Sequence, residues 1–179
     1  MSASRAGGDA VWIHRADDPG ADAATGTGAL AGLTFGVKDN IDVRGQRTPN
    51  GLPAQAELIA PDDSPVTRNF AGAGSVLVGR TNTPELSMRL CTDNPLFGPT
   101  INPWRADITC GGSSGGAGVA TTTGMGAIAH GNDIAGSVRV PALHCGVFGL
   151  RPTQGRIPAY LPSAAIERGT VSWLMSTQG

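Results

Sequence analysis

Two serine-bearing turns, each bracketed by glycine, place Ser113 and Ser137 24 residues apart in the stretch 110–145, which reads CGGSSGGAGVATTTGMGAIAHGNDIAGSVRVPALHC. Glycine reaches backbone conformations closed to other residues and lets a second backbone or a ligand come close, so paired turns of this kind predict a constructed pocket. Between them the segment 117–123 predicts a helix whose N-terminus would aim free N–H groups back at the first serines. A short apolar run at 127–129 predicts a strand, Ser137 occupies the turn after it, and Pro141 stands where a new helix would make its first turn. On their own, the two turns are equally compatible with two flexible surface loops.

Upstream, the apolar run 33–37 predicts a strand that Lys38, Asp39 and Asn40 terminate, so Lys38 falls at a strand's end. Asp62, Asp63 and Ser64 ahead of Pro65 form a helix-start signal, and the helix should run from Val66 to about Ala73 before Gly74 stops it. Residues 75–78 read as a buried strand completing a β-α-β unit. Thr83, Pro84 and Glu85 open a further short helix, and 94–104 is loop. This alternation predicts an α/β fold, a mixed sheet flanked by helices. Residues 1–30 are expected to be a poorly ordered N-terminal arm despite an apolar patch at 11–13, leaving 31–179 as the folded domain. The segment 146–179, with Pro152, Pro158 and Pro162, reads as loop-rich.

Composition narrows the chemistry. A net charge of -1 without a run of like charges points to neither nucleic acid nor an anionic membrane surface. No apolar run approaches the roughly 20 residues of a spanning helix, and the first residues lack a signal-peptide core. Cys91, Cys110 and Cys145 are odd in number and have no metal-ligand spacing, which suggests a reduced, cytoplasmic protein. His14, His130 and His144 lack zinc spacing, so no metal is expected. Of 13 basic residues, Lys38 is the single lysine, the rest being arginines that cannot lose a proton near neutrality.

Residues 111–115 satisfy G-x-S-x-G, but the Ser-Asp-His order this demands is met by Asp133 and His144 alone, both close to the second turn; His130 and Glu167 fit it no better. No GxxxxGK[ST] phosphate loop is present. A lysine at a strand end and two serines in turns remain. A serine hydroxyl becomes a nucleophile when a base takes its proton, and a neutral lysine amine does this without histidine. Burial would lower the amine's pKa and the neighbouring Asp39 would oppose that. A binding module that holds a carboxylate or phosphate at the helix start is the reading that needs no lysine.

Three blocks carry a family resemblance: GVKDN at 36–40, GGSSGG at 111–116 and DIAGSVRVP at 133–141. The pattern continues through CGVFGLRPT at 145–153 and STQG at 176–179. Over residues 30–179 the chain resembles the amidase signature family of serine hydrolases. The resemblance implies hydrolysis of a small-molecule carboxylic acid amide to a carboxylate and ammonia or an amine, with no cofactor. It implies Ser137 as nucleophile, Ser113 as bridge after a cis peptide from Gly112, and Lys38 as base. The N–H groups of Ile134, Ala135, Gly136 and Ser137 would form the oxyanion hole, with Ser114, Asp133 and Arg139 supporting by hydrogen bonds and Cys145 packing. Two departures stand out. Ala135-Gly136 replaces the family's usual pair of glycines; Ala135 keeps the N–H donor, so the oxyanion hole survives if its φ is negative, whereas a positive φ would strain it. The chain is also shorter than family members, which implies an amidase signature fold incomplete at its C-terminus, with a missing C-terminal portion or a second copy as candidate partners. A truncated, catalytically silent fragment is the competing expectation.

Overall fold

The computed structural model describes residues 10–15, 27–159, 162–163 and 177–178. Its frame is a four-stranded mixed sheet in the order β1-β3-β2-β4, built from β1 (Trp12–Arg15), β2 (Thr34–Lys38), β3 (Val76–Thr81) and β4 (Ile128–His130). β2 pairs parallel with both β3 and β4, whereas β1 runs antiparallel along the far edge of β3. Among the described residues three helices accompany it, α1 (Pro65–Gly72), α2 (Gly115–Thr122) and α3 (Arg139–Cys145). The α/β class with helices about a mixed sheet is the architecture expected from the alternating pattern.

β2 shows how the strand divides two layers. Alternate side chains point to opposite faces. Phe35 and Val37 go to one face and join Ile41, Val43 and Val66, with Phe70 of α1 stacked on Phe35 at 4.9 Å between ring centroids. Gly36 and Lys38 go to the other, where the missing side chain of Gly36 leaves room for the Trp12 ring, 3.1 Å from where a Cβ would stand. On that face Val11, Cys110, Val119, Ala120 and Cys145 form a second apolar cluster under α2 and α3. Burying side chains of this size stabilises by about 1.5–3 kcal/mol each, so both faces of β2 are committed and its register cannot slip by one residue.

α1 forms where its start signal lies. Ser64 caps it, its Oγ accepting from the N–H of Thr67 at 3.2 Å, with Pro65 at the first helical position. The same cap is tied to the loop after β2, because the carbonyl of Asp42 accepts from Ser64 N and Thr67 Oγ1.

Four expectations change. Residues 12–15 fall in the expected N-terminal arm, yet they form β1, because the apolar patch at 11–13 finds a sheet edge and an apolar cluster to cover; residues 1–9 and 16–26 lie outside the described residues. The short helix opening at Pro84 is a single 3-10 turn, Glu85–Ser87, with Leu86 at φ 52. The N–H of Gly115 at the start of α2 turns to Thr92 Oγ1, 3.0 Å away, and not to the serines. In the segment expected to be loop-rich, β6 (Thr177–Gln178) pairs antiparallel with β5 (Asn132–Asp133).

His130 sits across from Val37 in the β2–β4 register, on the α1 face, with its ring edge-on to Phe70. Burial pushes its pKa down to about 3. The unfolded chain therefore takes up a proton below about pH 6.5 that the folded chain refuses until near 3, and stability falls as pH falls through that window. Urea denaturation at pH 7.5 and pH 5 should show wild type losing about 2 kcal/mol relative to His130→Leu; a pH-independent difference would contradict a buried neutral imidazole.

Candidate active site

Lys38, at the C-terminal end of β2, projects onto the α2 face and is fully buried. Its Nζ lies 2.6 Å from Ser113 Oγ and 2.8 Å from Asn132 Oδ1. Desolvation pulls the amine down to about 7, against the opposing pull of the Asp133 and Asp39 carboxylates. Asn132 was not a residue the sequence reading singled out. Its signal was its place beside the second serine turn.

Ser113 reaches Lys38 because the glycine loop packs backbone against backbone. A Cβ on Gly112 would sit 2.7 Å from the carbonyl of Arg89 and the nitrogen of Cys91. One on Gly116 would sit 2.5 Å from the nitrogen of Asn82 at the end of β3. Both contacts are far inside normal limits, so neither position accepts a side chain without movement. The Gly112–Ser113 peptide is cis, and the Ser113 carbonyl accepts from Thr83 Oγ1 at 3.0 Å.

The second turn is organised by one carboxylate. Asp133, fully buried, accepts from the N–H groups of Gly136 at 2.8 Å, Val138 at 3.1 Å and Arg139 at 3.3 Å. Arg139 adds a two-pronged contact through Nε and Nη2, each at 3.0 Å, and Arg151 Nε lies 3.4 Å from Oδ1. Burial alone would raise the Asp133 pKa, but the Arg139 hydrogen bonds and the three backbone donors outweigh it and hold the carboxyl well below its ordinary range. The turn that carries Ser137 is thus wrapped around a fixed anion, with Gly136 at φ 125, a conformation suited to glycine. Ala135 is not among the residues of positive φ.

The two turns meet where the Ser114 N–H donates to the Ser137 carbonyl at 3.1 Å. Ser137 is half-buried, and its carbonyl is bonded to the residue that follows Ser113, whose hydroxyl Lys38 reaches. Two expected roles change. The Gly136 N–H, expected at the oxyanion hole, is occupied by Asp133. Ser114, expected to support by hydrogen bonds, has a buried Oγ without a hydrogen-bond partner and meets the second turn through its backbone N–H. Cys145 is buried in the apolar cluster, with its thiol pushed up to about 12 by burial, and so serves packing.

The Ser-Asp-His arrangement is not assembled. His144 places Nδ1 3.0 Å from the Thr109 carbonyl, while Asp133 is taken up by Arg139 and the turn. Among the described residues no three His, Cys, Asp or Glu side chains come together to hold a metal ion, and no helix is long and apolar enough to cross a membrane.

Removing the central anion should leave several buried donors unpaired. Asp133→Ala is expected to lower the unfolding free energy by about 3 kcal/mol, whereas Arg139→Ala, at a half-exposed position, should cost a small fraction of that. Urea melts of the two variants check this, and equal losses would mean the turn is not organised by Asp133.

A family model described as Amidase matches residues 9–168. Indoleacetamide hydrolase of Bradyrhizobium diazoefficiens is 57% identical over 153 residues, covering 85% of this chain and 29% of that protein. An acylamidase of Rhodococcus erythropolis is 46% identical over 131 residues, covering 73% of this chain and 28% of its own length. Among solved structures, 6-aminohexanoate cyclic dimer hydrolase in complex with substrate superimposes with a TM-score of 0.78 at 36% identity, covering 83% of this chain and 32% of that one. The chain therefore spans less than a third of the length of these relatives. With a family model over most of its length and a relative of this identity, the chain belongs to the amidase signature family.

Proposed function

We propose that this chain carries the catalytic residues of an amide hydrolase that works through an acyl-serine intermediate. The observation that carries the reading is the buried Lys38 amine, 2.6 Å from Ser113 Oγ, with its pKa brought to about 7. As an ammonium it donates to both Ser113 and Asn132. Once neutral, it keeps an N–H on the acceptor Asn132 Oδ1 and presents its lone pair to the Ser113 hydroxyl. Ser113 then takes the proton of Ser137 as it passes its own to Lys38, and Ser137 Oγ attacks the amide carbonyl.

The N–H groups of Ile134, Ala135 and Ser137 are the donors available to the developing oxyanion, and each well-aimed donor is worth about 3 kcal/mol. Collapse of the tetrahedral intermediate breaks the C–N bond, and the proton held on Lys38 returns through Ser113 to the departing nitrogen. Water then attacks the acyl-serine by the same relay in reverse. The products are a carboxylic acid and ammonia or an amine. The similarity to an indoleacetamide hydrolase makes arylacetamides the first substrates to try, with other acyl amides next. Three unpaired cysteines, two of them buried, favour a reducing cytoplasm as the setting.

One observation favours a second reading, a catalytically silent segment. Leu143 on α3 and Phe148 and Leu150 just after it are exposed by 80%, 108% and 74%, an apolar face in a chain that spans less than a third of its relatives' length.

Turnover of an amide panel, read as released ammonia or amine, decides between them. Hydrolysis should rise with pH through about 7 as Lys38 deprotonates, because the base acts in its neutral form. Ser137→Ala, Ser113→Ala and Lys38→Ala should each lose roughly 10⁴-fold, and a double variant should lose little more than a single one. Folded protein without turnover on any amide supports the silent segment; turnover that survives Lys38→Ala rejects the proposed relay.

A further inference from the structure

Arg80 is a fully buried arginine for which the relay has no use. It stands on β3 opposite Val37, so it lies on the face of the sheet away from the Lys38 side chain. Its Nη2 donates to the carbonyls of Asp39 and Ile41, the latter at 2.9 Å, and these bound the turn that directly follows Lys38. The same Nη2 is 3.5 Å from Asp39 Oδ1, while Asp39 Oδ2 accepts from the N–H of Gly51 at 3.0 Å. Nε and Nη1 of Arg80 have no hydrogen-bond partner, so its directed contacts all go to this one turn.

A buried guanidinium is costly to desolvate, and so is the buried carboxylate next to it. Their placement has a specific consequence for the amine one residue away. A carboxylate beside a buried lysine favours the ammonium, which cannot act as a base. Burial raises the Asp39 carboxyl to about 6, with Arg80 opposing that rise as the strongest counter-influence. The other groups around Lys38 are Asp133 on β5, itself held by Arg139 and Arg151, and the neutral His130 on β4.

We propose that Arg80 is a positioning residue for Lys38: it pins the Asp39–Ile41 turn by its carbonyls and engages the Asp39 carboxylate, so that the amine is aimed at Ser113 and is free to be neutral. This rests on Lys38 being the base, and its test needs no turnover. Lys38 is the chain's single lysine, so lysine labelled with 13C at Cε gives one side-chain signal whose chemical shift follows ionisation.

In wild type that signal should titrate near 7, well below the ordinary lysine value of 10.5. In Arg80→Gln and Arg80→Met, Lys38 is the charged partner left to Asp39, the ammonium is favoured, and the midpoint should rise by about one pH unit or more. A folded variant whose Lys38 midpoint matches wild type overturns the proposal, since a merely structural arginine would change the melt and leave the midpoint alone. Should neither variant fold, the wild-type titration decides: a midpoint near 7 upholds a Lys38 freed from Asp39, and one at 10.5 or above rejects it. Absence of amide turnover in wild type whose Lys38 titrates near 7 would instead count against the hydrolase reading.

Discussion

A single amine taken out of water and set between a serine hydroxyl and a carboxamide oxygen is the interaction on which the rest depends. Left exposed, Lys38 would be an ammonium at neutral pH, with nothing to offer a serine. Burial shifts it toward the neutral form, and that burial is a property of the whole sheet. β2 must lie between β3 and β4, and its alternation must send Phe35 and Val37 one way and Lys38 the other. The α2 face must then be closed over the amine by the glycine loop. The apolar layers on both sides of β2 therefore belong to the chemistry as much as to stability.

A second fixed charge complements the first. Asp133 is held as an anion by Arg139 and three backbone donors, and it shapes the turn that offers Ser137. It also lies near enough to Lys38 to favour the ammonium, as does Asp39. Each carboxylate has arginine partners of its own, Arg139 and Arg151 for Asp133 and Arg80 for Asp39. The site thus contains two anions that its structure needs and three arginines that keep them from capturing the amine.

Much of this was legible in the residues. Lys38 at a strand end followed from an apolar run broken by Asp39 and Asn40, and α1 was announced by Ser64 and Pro65. These are local signals, each read within a few positions. What was not legible depended on long-range contacts. β1 looked like part of a loose arm because its four residues become a strand only when β3 supplies an edge. Asn132 meets Lys38 across 94 positions, and no spacing rule predicts that a carboxamide there will face an amine. The Gly136 N–H could not be subtracted from the oxyanion set until the turn was seen to curl around Asp133. Arg80 was hidden for the same reason, its two carbonyl partners being about 40 residues away in the chain.

The central claim is that the residues present here already assemble a reactive serine. Intact-mass analysis of the purified chain after exposure to a serine-directed phosphonylating reagent tests it most directly, because the reagent needs an activated nucleophile and no particular amide. One adduct is expected, absent in Ser137→Ala and formed far more slowly in Ser113→Ala and Lys38→Ala. Folded protein that takes up no adduct, or an adduct that persists in Ser137→Ala, would contradict it.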